Sequence, residues 1–333
     1  MAPARLNLVE PRPSAPPLRR AKPKRLTLVV PCFNEEAVLP ETIARLIALL
    51  DELTARRLVS ADSGVTFVDD GSRDATWDII ETAQADEPRI GGIRLSGNRG
   101  HQHALLAGLL NAPGEVLISL DADLQDDLGA IPRMLEAHAR GAAIVYGVRS
   151  RRRHDTVFKR QTARAYYWLL RRLGVDVVAD HADFRLMSRQ AVDALSGFTE
   201  VNLFLRGIVP LLGFPSEIVT YERNARFAGE TKYPLSKMIA LAANGVFSFS
   251  TVPLQWITIF GFVVALGSVG AGFWALGVRL FTARALPGWA STVIPMYFLG
   301  SVQLLAIGII GGYVSRIYAE TKRRPRFIIE KSI

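Results

Sequence analysis

Cysteine is almost missing from this 333-residue chain: Cys32 stands alone. That excludes a disulfide framework and any zinc site built from several thiolates, and it fits a chain kept in reducing surroundings. Histidine is scarce too, five residues in all, and adds little capacity for metal. Charged residues make up only 21% against 49% apolar, with a mean hydropathy of +0.19, so part of the chain is expected to lie in lipid. The opening segment lacks the apolar core of about seven residues that a signal peptide needs. Being rich in proline, with seven basic residues against Glu10 from Met1 to Arg25, it reads as a flexible basic tail over 1–24.

Basic residues outnumber acidic ones, 40 to 31, for a net charge of +9. Such a balance points to an anionic partner, which is nucleic acid, a phospholipid surface or a phosphorylated substrate. The excess gathers in the opening tail, in Val148 to Arg172 with nine basic residues against Asp155, and in Arg316 to Arg326 with five against Glu320. No interleaved aromatics and no helix-turn-helix or RNA-binding signature accompany these clusters, so nucleic acid is set aside.

Thr251 to Val278 and Ala285 to Ser315 carry no charge, and each exceeds the roughly 20 residues that a helix needs to cross a bilayer. Two transmembrane helices are therefore expected within 251–315, at about 252–278 and 289–315. The link between them is less basic than the flanks, which hold Lys232, Lys237 and the cluster from Lys322 to Arg326, so both termini are expected in the cytoplasm. Just before them, apolar residues such as Leu235, Met238, Ile239 and Ala242 fall at helical spacing over 233–250. That suits either a helix lying in the membrane interface or an ordinary core helix.

From Arg25 onward, short apolar β-type runs alternate with amphipathic helical segments. The runs are Leu26 to Val30, Val65 to Val68, Ile90 to Leu95, Val116 to Leu120 and Ala143 to Tyr146. Helices are expected near Ala37 to Arg57, Thr76 to Ala85, His103 to Leu110 and Leu128 to Arg140. The alternation predicts an α/β fold, a mainly parallel Rossmann-like sheet with helices on both faces, and ligands bound beyond the carboxyl ends of its strands.

Acidic clusters follow three of those strands: Pro-Cys-Phe-Asn-Glu-Glu at 31–36, Asp-Asp-Gly-Ser at 69–72 and Asp-Ala-Asp-Leu-Gln at 121–125. Ser72 or Asp74 is expected to cap the helix near Thr76. Carboxylates in such excess repel one another unless a cation or a hydrogen-bond donor joins them. If the segment is extended, Asp121 and Asp123 project to one side and present oxygens together with Gln125, an arrangement for Mg2+ or Mn2+ bridging a nucleotide diphosphate.

Val-Val-Pro-x-Phe-Asn-Glu-Glu, Val-Asp-Asp-Gly-Ser-Arg-Asp, Leu-Ser-Gly-Asn-Arg-Gly-His-Gln-His-Ala, Asp-Ala-Asp-Leu-Gln-Asp, Asp-Phe-Arg-Leu-Met-Ser-Arg and Gly-Glu-Thr-Lys-Tyr-Pro occur in that order. Together they resemble family-2 glycosyltransferases of the GT-A fold, and most of all the polyprenyl-phosphate branch, which includes bactoprenol glucosyltransferases and dolichol-phosphate mannose synthases. The resemblance runs from about Leu26 to Ile329. It implies a cytoplasmic GT-A catalytic domain over 25–232 and a basic cytoplasmic tail over 316–333, at the inner membrane.

The resemblance also implies site residues. Pro31, Glu35 and Asp70 match positions lining the base and ribose pocket, with Asp69 nearby. Asp121 and Asp123 match the metal and diphosphate motif, and Gln125 a further metal ligand. Arg149, and Lys159 or Arg160, match basic positions for the acceptor phosphate. Asp183 and Arg185 match residues facing the reacting centre, where Arg185 also serves the acceptor phosphate and Asp183 either orients Arg185 or accepts the last proton. Arg223, Arg226 and Lys232 lie on a segment read either as a flap closing over the substrates or as a headgroup anchor. Arg99 and His101 depart from the residues common in close relatives, which leaves that loop without an assigned role; Gly100 and Gly108 are read as allowing close helix packing.

The implied reaction moves a sugar, UDP-glucose being the first choice of donor, onto undecaprenyl phosphate with inversion. The alternatives are UDP-aminoarabinose, UDP-galactose, a UDP-N-acetylhexosamine, GDP-mannose, or a non-catalytic membrane scaffold that binds nucleotide sugar. A processive polysaccharide synthase is disfavoured by the absence of its Gln-x-x-Arg-Trp motif. By resemblance the chain is expected to be a homo-oligomer, a tetramer.

Overall fold

The computed structural model describes residues 22–149, 181–201, 203–222, 252–281 and 288–333. Lys159, Arg160, Arg223, Arg226, Lys232, the expected helix over 233–250 and most of the opening tail lie outside the described residues. The chain divides into two compact units, one holding Met1–Arg164, Asp176–Lys232 and Arg324–Ile333, the other Ala165–Val175 and Tyr233–Arg323.

In the first unit the elements follow as β1 (Leu26–Cys32), α1 (Leu39–Ala55), β2 (Gly64–Asp69), α2 (Thr76–Asp86), β3 (Ile90–Leu95), α3 (His101–Asn111), β4 (Val116–Ser119), α4 (Ala130–Ala139) and β5 (Ile144–Arg149). Then come β6 (His181–Ser188), α5 (Arg189–Ser196), α6 (Leu205–Leu211) and β7 (Ser216–Tyr221). The second unit contributes α7 (Val252–Phe281) and α8 (Gly288–Thr321), and the chain closes with β8 (Ile329–Ser332). All five expected strands and four expected helices are present with ends shifted by a few residues. The sheet order is β7-β5-β6-β4-β1-β2-β3-β8. β1, β2, β3 and β4 run parallel as neighbours, β5 runs parallel to β7, and β6 and β8 are antiparallel to theirs.

Every residue of β1 and β2 is buried, as expected of strands covered on both faces. Side chains alternate between the faces. Leu26, Leu28 and Val30 join one core with Leu46, Leu50 and Leu53 of α1, Trp77 and Ile80 of α2 and Met134 of α4. Val29 and Val68 turn the other way, toward α3, where a Cβ on Gly108 would come within 2.4 Å of Val29 Cγ1 and 2.7 Å of Val68 Cγ2. Gly108 therefore permits the close packing of α3 on the sheet.

Within 316–333, α8 runs to Thr321, and β8 pairs with β3 at the sheet edge. One feature differs from the sequence-based expectation. Residues 121–125, expected to be extended, form a turn in which Leu124 takes a positive φ of 54°. The turn arises because β4 ends at Ser119 and the backbone must swing from the strand toward α4.

In the second unit, α7 and α8 cover both stretches where spans were expected, and the two helices touch each other. Among the described residues one helical stretch, Phe298–Thr321, with a mean hydropathy of 1.7, is long and apolar enough to cross a membrane. Leu254–Val264 of α7 is a shorter apolar stretch.

Candidate active site

The loops after β1 and β2 are stitched together by reciprocal hydrogen bonds. Asn34 N–H donates to Ser72 Oγ at 3.0 Å, and Arg73 N–H donates to Asn34 Oδ1 at 2.9 Å. Glu35 N–H donates to Thr76 Oγ1 at 2.9 Å, while Ala75 N–H donates to Glu36 Oε2 at 3.0 Å. Asp74 Oδ1 accepts from Thr76 N–H at 3.1 Å, but the N-cap of α2 is Ala75, without a side-chain cap, so neither Ser72 nor Asp74 takes the expected cap position. Buried Pro31 lies within β1 opposite Val68, where a proline is tolerated at a strand's end near a loop.

Asp69 and Asp70 have distinct tasks. Asp70 accepts from Arg99 N–H at 2.7 Å and Gly100 N–H at 2.8 Å, which fixes the start of α3, where Gly100 has a φ of +90°. Burial pushes the Asp70 carboxyl up against the pull of those two donors. Asp69 is fully buried, and its Oδ1 accepts from Ser72 N–H at 3.0 Å. It therefore shapes the loop from below. Cys32, also buried, has its thiol pushed up by burial and by Glu35, Asp69 and Asp74, so it is chemically inert.

Beyond β4, the side chains of Asp121, Asp123, Gln125 and Asp126 gather on the turn. Gln125 is buried, and its N–H donates to Asp123 Oδ1 at 3.2 Å. Buried Asp126 accepts from Tyr221 Oη at 2.5 Å, which ties the turn to β7. Asp121 is pushed up to about 6 by burial and by Asp126, Asp183 and Asp123, although His101 opposes this. Among the described residues no three His, Cys, Asp or Glu side chains form a ready-made cation cage. Asp121, Asp123 and Gln125 are nevertheless oxygen-bearing side chains on one turn, the residue types that a hard cation takes.

Asp183 of β6 is the hub of the rim. It is 4% exposed, and its two oxygens meet His101 Nε2 at 3.2 Å, Gln102 Nε2 at 3.0 Å, Arg206 Nη2 at 3.1 Å and Arg185 Nη2 at 3.3 Å. Burial alone would raise its carboxyl, but His101, Arg206 and Arg185 hold it well below the usual carboxylate range. His101 also lies 3.6 Å from Asp121 Oδ1. Burial would lower its imidazole, yet Asp183 and Asp121 raise it.

Arg185 is buried at 1%, with Nη1 on the Leu205 carbonyl at 3.4 Å and Nη2 on Asp183. That placement supports Asp183 and is far from the open guanidinium that a phosphate contact needs. The half-exposed guanidinium beside Asp183 is that of Arg206. Arg149 ends β5, and its backbone pairs with Tyr221.

Sequence reasoning missed Gln102, Arg206, Asp126 and Tyr221, and gave His101 no role. Gln102 accepts from Leu205 N–H at 3.1 Å while donating to Asp183, so it clamps α3 to β6 and α6. The His-Gln-His spelling was the available signal; its partners lie about 80 to 100 residues away in sequence.

Residues 27–196 match the family model described as glycosyl transferase family 2. The Bacillus subtilis protein named uncharacterized glycosyltransferase YkoT is 47% identical over 92% of this chain and 91% of its own length. The Escherichia coli K12 prophage bactoprenol glucosyl transferase homolog is 37% identical over 92% of this chain and 99% of its own. The bactoprenol glucosyl transferase of Shigella phage SfII is 37% identical over 92% and 98%. Among solved structures, the mannosyltransferase PcManGT from Pyrobaculum calidifontis, in complex with GDP-Man and Mn2+, aligns with a TM-score of 0.44 at 18% identity, covering 90% of this chain and 87% of that one.

Proposed function

The chain belongs to glycosyl transferase family 2 and is a glycosyltransferase, and we propose that it transfers glucose from UDP-glucose to undecaprenyl phosphate at the cytoplasmic membrane face, with inversion. The observation that carries this reading is the rim itself, where Asp121 lies 3.6 Å from His101, and His101 and Arg206 both meet Asp183. The names of the bactoprenol glucosyl transferases, similar along 92% of this chain, support the choice of sugar and lipid.

In this reading Pro31, Glu35 and Asp70 line the base and ribose pocket, and Asp69 holds its loop. Asp121, Asp123 and Gln125 would hold Mg2+ or Mn2+, which when bound supplies positive charge for the departing nucleoside diphosphate. The acceptor phosphate is mostly ionised at neutral pH, since its second pKa is about 6, and needs no strong base. Asp183, with donors from four side chains on its oxygens, acts by fixing Arg206 and His101, which leaves positioning and charge as the sources of rate. Arg206 presents its guanidinium to phosphate oxygens of donor or acceptor, and Arg149 and Lys159 or Arg160 serve the acceptor phosphate as well.

The exposed apolar side chains of the second unit, among them Trp256, Phe262, Trp274 and Leu304, suit contact with lipid. We read α7 and α8 as two membrane spans with both termini cytoplasmic, and the assembly as a homo-oligomer. The segment with Arg223, Arg226 and Lys232 serves as a flap over the substrates.

The test incubates purified full-length protein with undecaprenyl phosphate and a panel of radiolabelled nucleotide sugars, with Mg2+, Mn2+ or chelator. A glucolipid formed from UDP-glucose only with cation is expected. Product from a different donor transfers the reading to that sugar, and absence of nucleoside diphosphate binding with either cation overturns it.

A further inference from the structure

Arg94 on β3 stands in register with Asp69 of β2 on one side and Lys331 of β8 on the other. The Oδ2 atom of fully buried Asp69 has no hydrogen-bond partner, and Arg94 Nε lies 3.7 Å from it. A buried carboxylate in that state depends strongly on its counter-charge, so the placement of Arg94 governs Asp69. Arg94 is held in turn from two directions. Its guanidinium carbon sits 5.8 Å from the Trp77 ring centroid, and its Nε lies 3.8 Å from Glu330 Oε2.

Glu330 reaches Arg94 because the chain end is sewn onto β3. Ser96 N–H donates to the Ile328 carbonyl at 2.9 Å, Ile333 N–H to the Gly92 carbonyl at 2.9 Å, and Gly92 N–H to the Ile333 carbonyl at 3.1 Å. Ile333 packs on the core, and Lys331 pairs with Glu81 of α2. At the other end of the relay, Asp69 holds Ser72 N–H, Ser72 Oγ holds Asn34, and Asp70 follows directly in the chain.

We propose that the C-terminal strand is a positioning element of the donor pocket: Glu330 sets Arg94, Arg94 sets Asp69, and Asp69 sets the 70–72 loop that meets the nucleoside diphosphate. This rests on the reading that Asp70 and the loops beside it form that pocket. Neither Arg94 nor Glu330 touches the ligand. Their influence falls on donor affinity and leaves the reacting centre around Asp183 alone.

The experiment measures UDP affinity in the presence of Mn2+, donor KM, lipid KM and kcat for the full-length protein and its variants. Arg94→Gln is expected to raise donor KM about tenfold and Glu330→Gln about threefold, with kcat and lipid KM unchanged. Arg94→Lys recovers part of the loss. Glu330→Gln adds nothing in the Arg94→Gln background, because the two act through one contact. Lys331→Ala, on the same strand, leaves donor KM at the wild-type value, which separates the relay from mere integrity of the strand. If Arg94→Gln fails to fold, the exposed Glu330→Gln decides. Wild-type donor affinity in Glu330→Gln, or an equal loss in Lys331→Ala, overturns the proposal while wild-type binding of UDP keeps the pocket reading intact. A wild-type protein without affinity for UDP overturns both.

Discussion

At the amino ends of the strands, charges meet partners of opposite sign: Arg89 lies 2.8 Å from both Glu87 and Asp51, and Arg25 Nε lies 3.8 Å from Asp62 Oδ2. At the carboxyl ends of the parallel strands, Asp121, Asp123 and Asp126 crowd one rim, beside Asp183 at the start of antiparallel β6, which His101, Arg185 and Arg206 answer. The consequence is visible in one carboxylate from each end. Glu87 is pulled down to about 2 by hydrogen bonds from Arg89, whereas Asp121 is pushed up to about 6 by burial among carboxylates. One end lowers its own electrostatic energy. The other keeps repulsion that a bound cation or donor group relieves, and this asymmetry marks the working end of the sheet.

The sharpest way to break the contrast is Asp123→Ala, expected to cut glycolipid formation by about 10³-fold or more while the protein still folds. Full activity in that variant, read from radiolabelled product, removes the assigned cation site. Asp121→Asn should abolish transfer equally, yet raise the melting temperature of the ligand-free protein, because it removes a charge from the crowd. A lower melting temperature would mean that the rim is not strained.

Asp183→Asn comes next, with kcat expected to fall about 10²-fold. Its melting temperature should fall too, since buried Arg185 loses its counter-charge. Unchanged turnover would take Asp183 out of the mechanism. Gly108→Ala tests the packing beneath the rim: the added methyl meets Val29 and Val68, at a cost of about 1–3 kcal/mol in denaturant unfolding.

The smallest effect is expected at the opposite end, where Glu87→Gln should cost about 1 kcal/mol or less at pH 7. Because the folded carboxyl of Glu87 is depressed from 4.5 to about 2, its stabilisation is complete above pH 4.5 and fades as pH falls toward 2. Thermal melts of wild type and variant should therefore converge over that interval. A gap that persists below it would assign the effect to packing.

How much of this was legible beforehand differs between the two halves of the sheet. β1 to β5 were readable because continuous apolar runs such as Leu26 to Val30, bounded by turn residues, are a local pattern. β7 and β8 were not: Ser216–Tyr221 mixes exposed and buried positions, and Ile329–Ser332 has three exposed residues of four. A strand of that kind exists because a neighbour supplies its hydrogen bonds. The acidic motifs announced the rim, yet they did not reveal that Asp69 would be sealed beneath it or that Arg185 would be spent on Asp183.

Sequence by itself determined the family, the parallel core and the identity of the acidic rim, because periodicity and motif spelling are properties of short segments. Tertiary structure decided who answers those carboxylates: His101, Gln102 and Arg206 for Asp183, Tyr221 for Asp126, and Arg94 with Glu330 for Asp69. Those pairings join residues up to 236 positions apart, as Arg94 and Glu330 do, and only sheet register brings such charges within ionic reach. Coulomb energy depends on that distance and on burial, and no local pattern carries either.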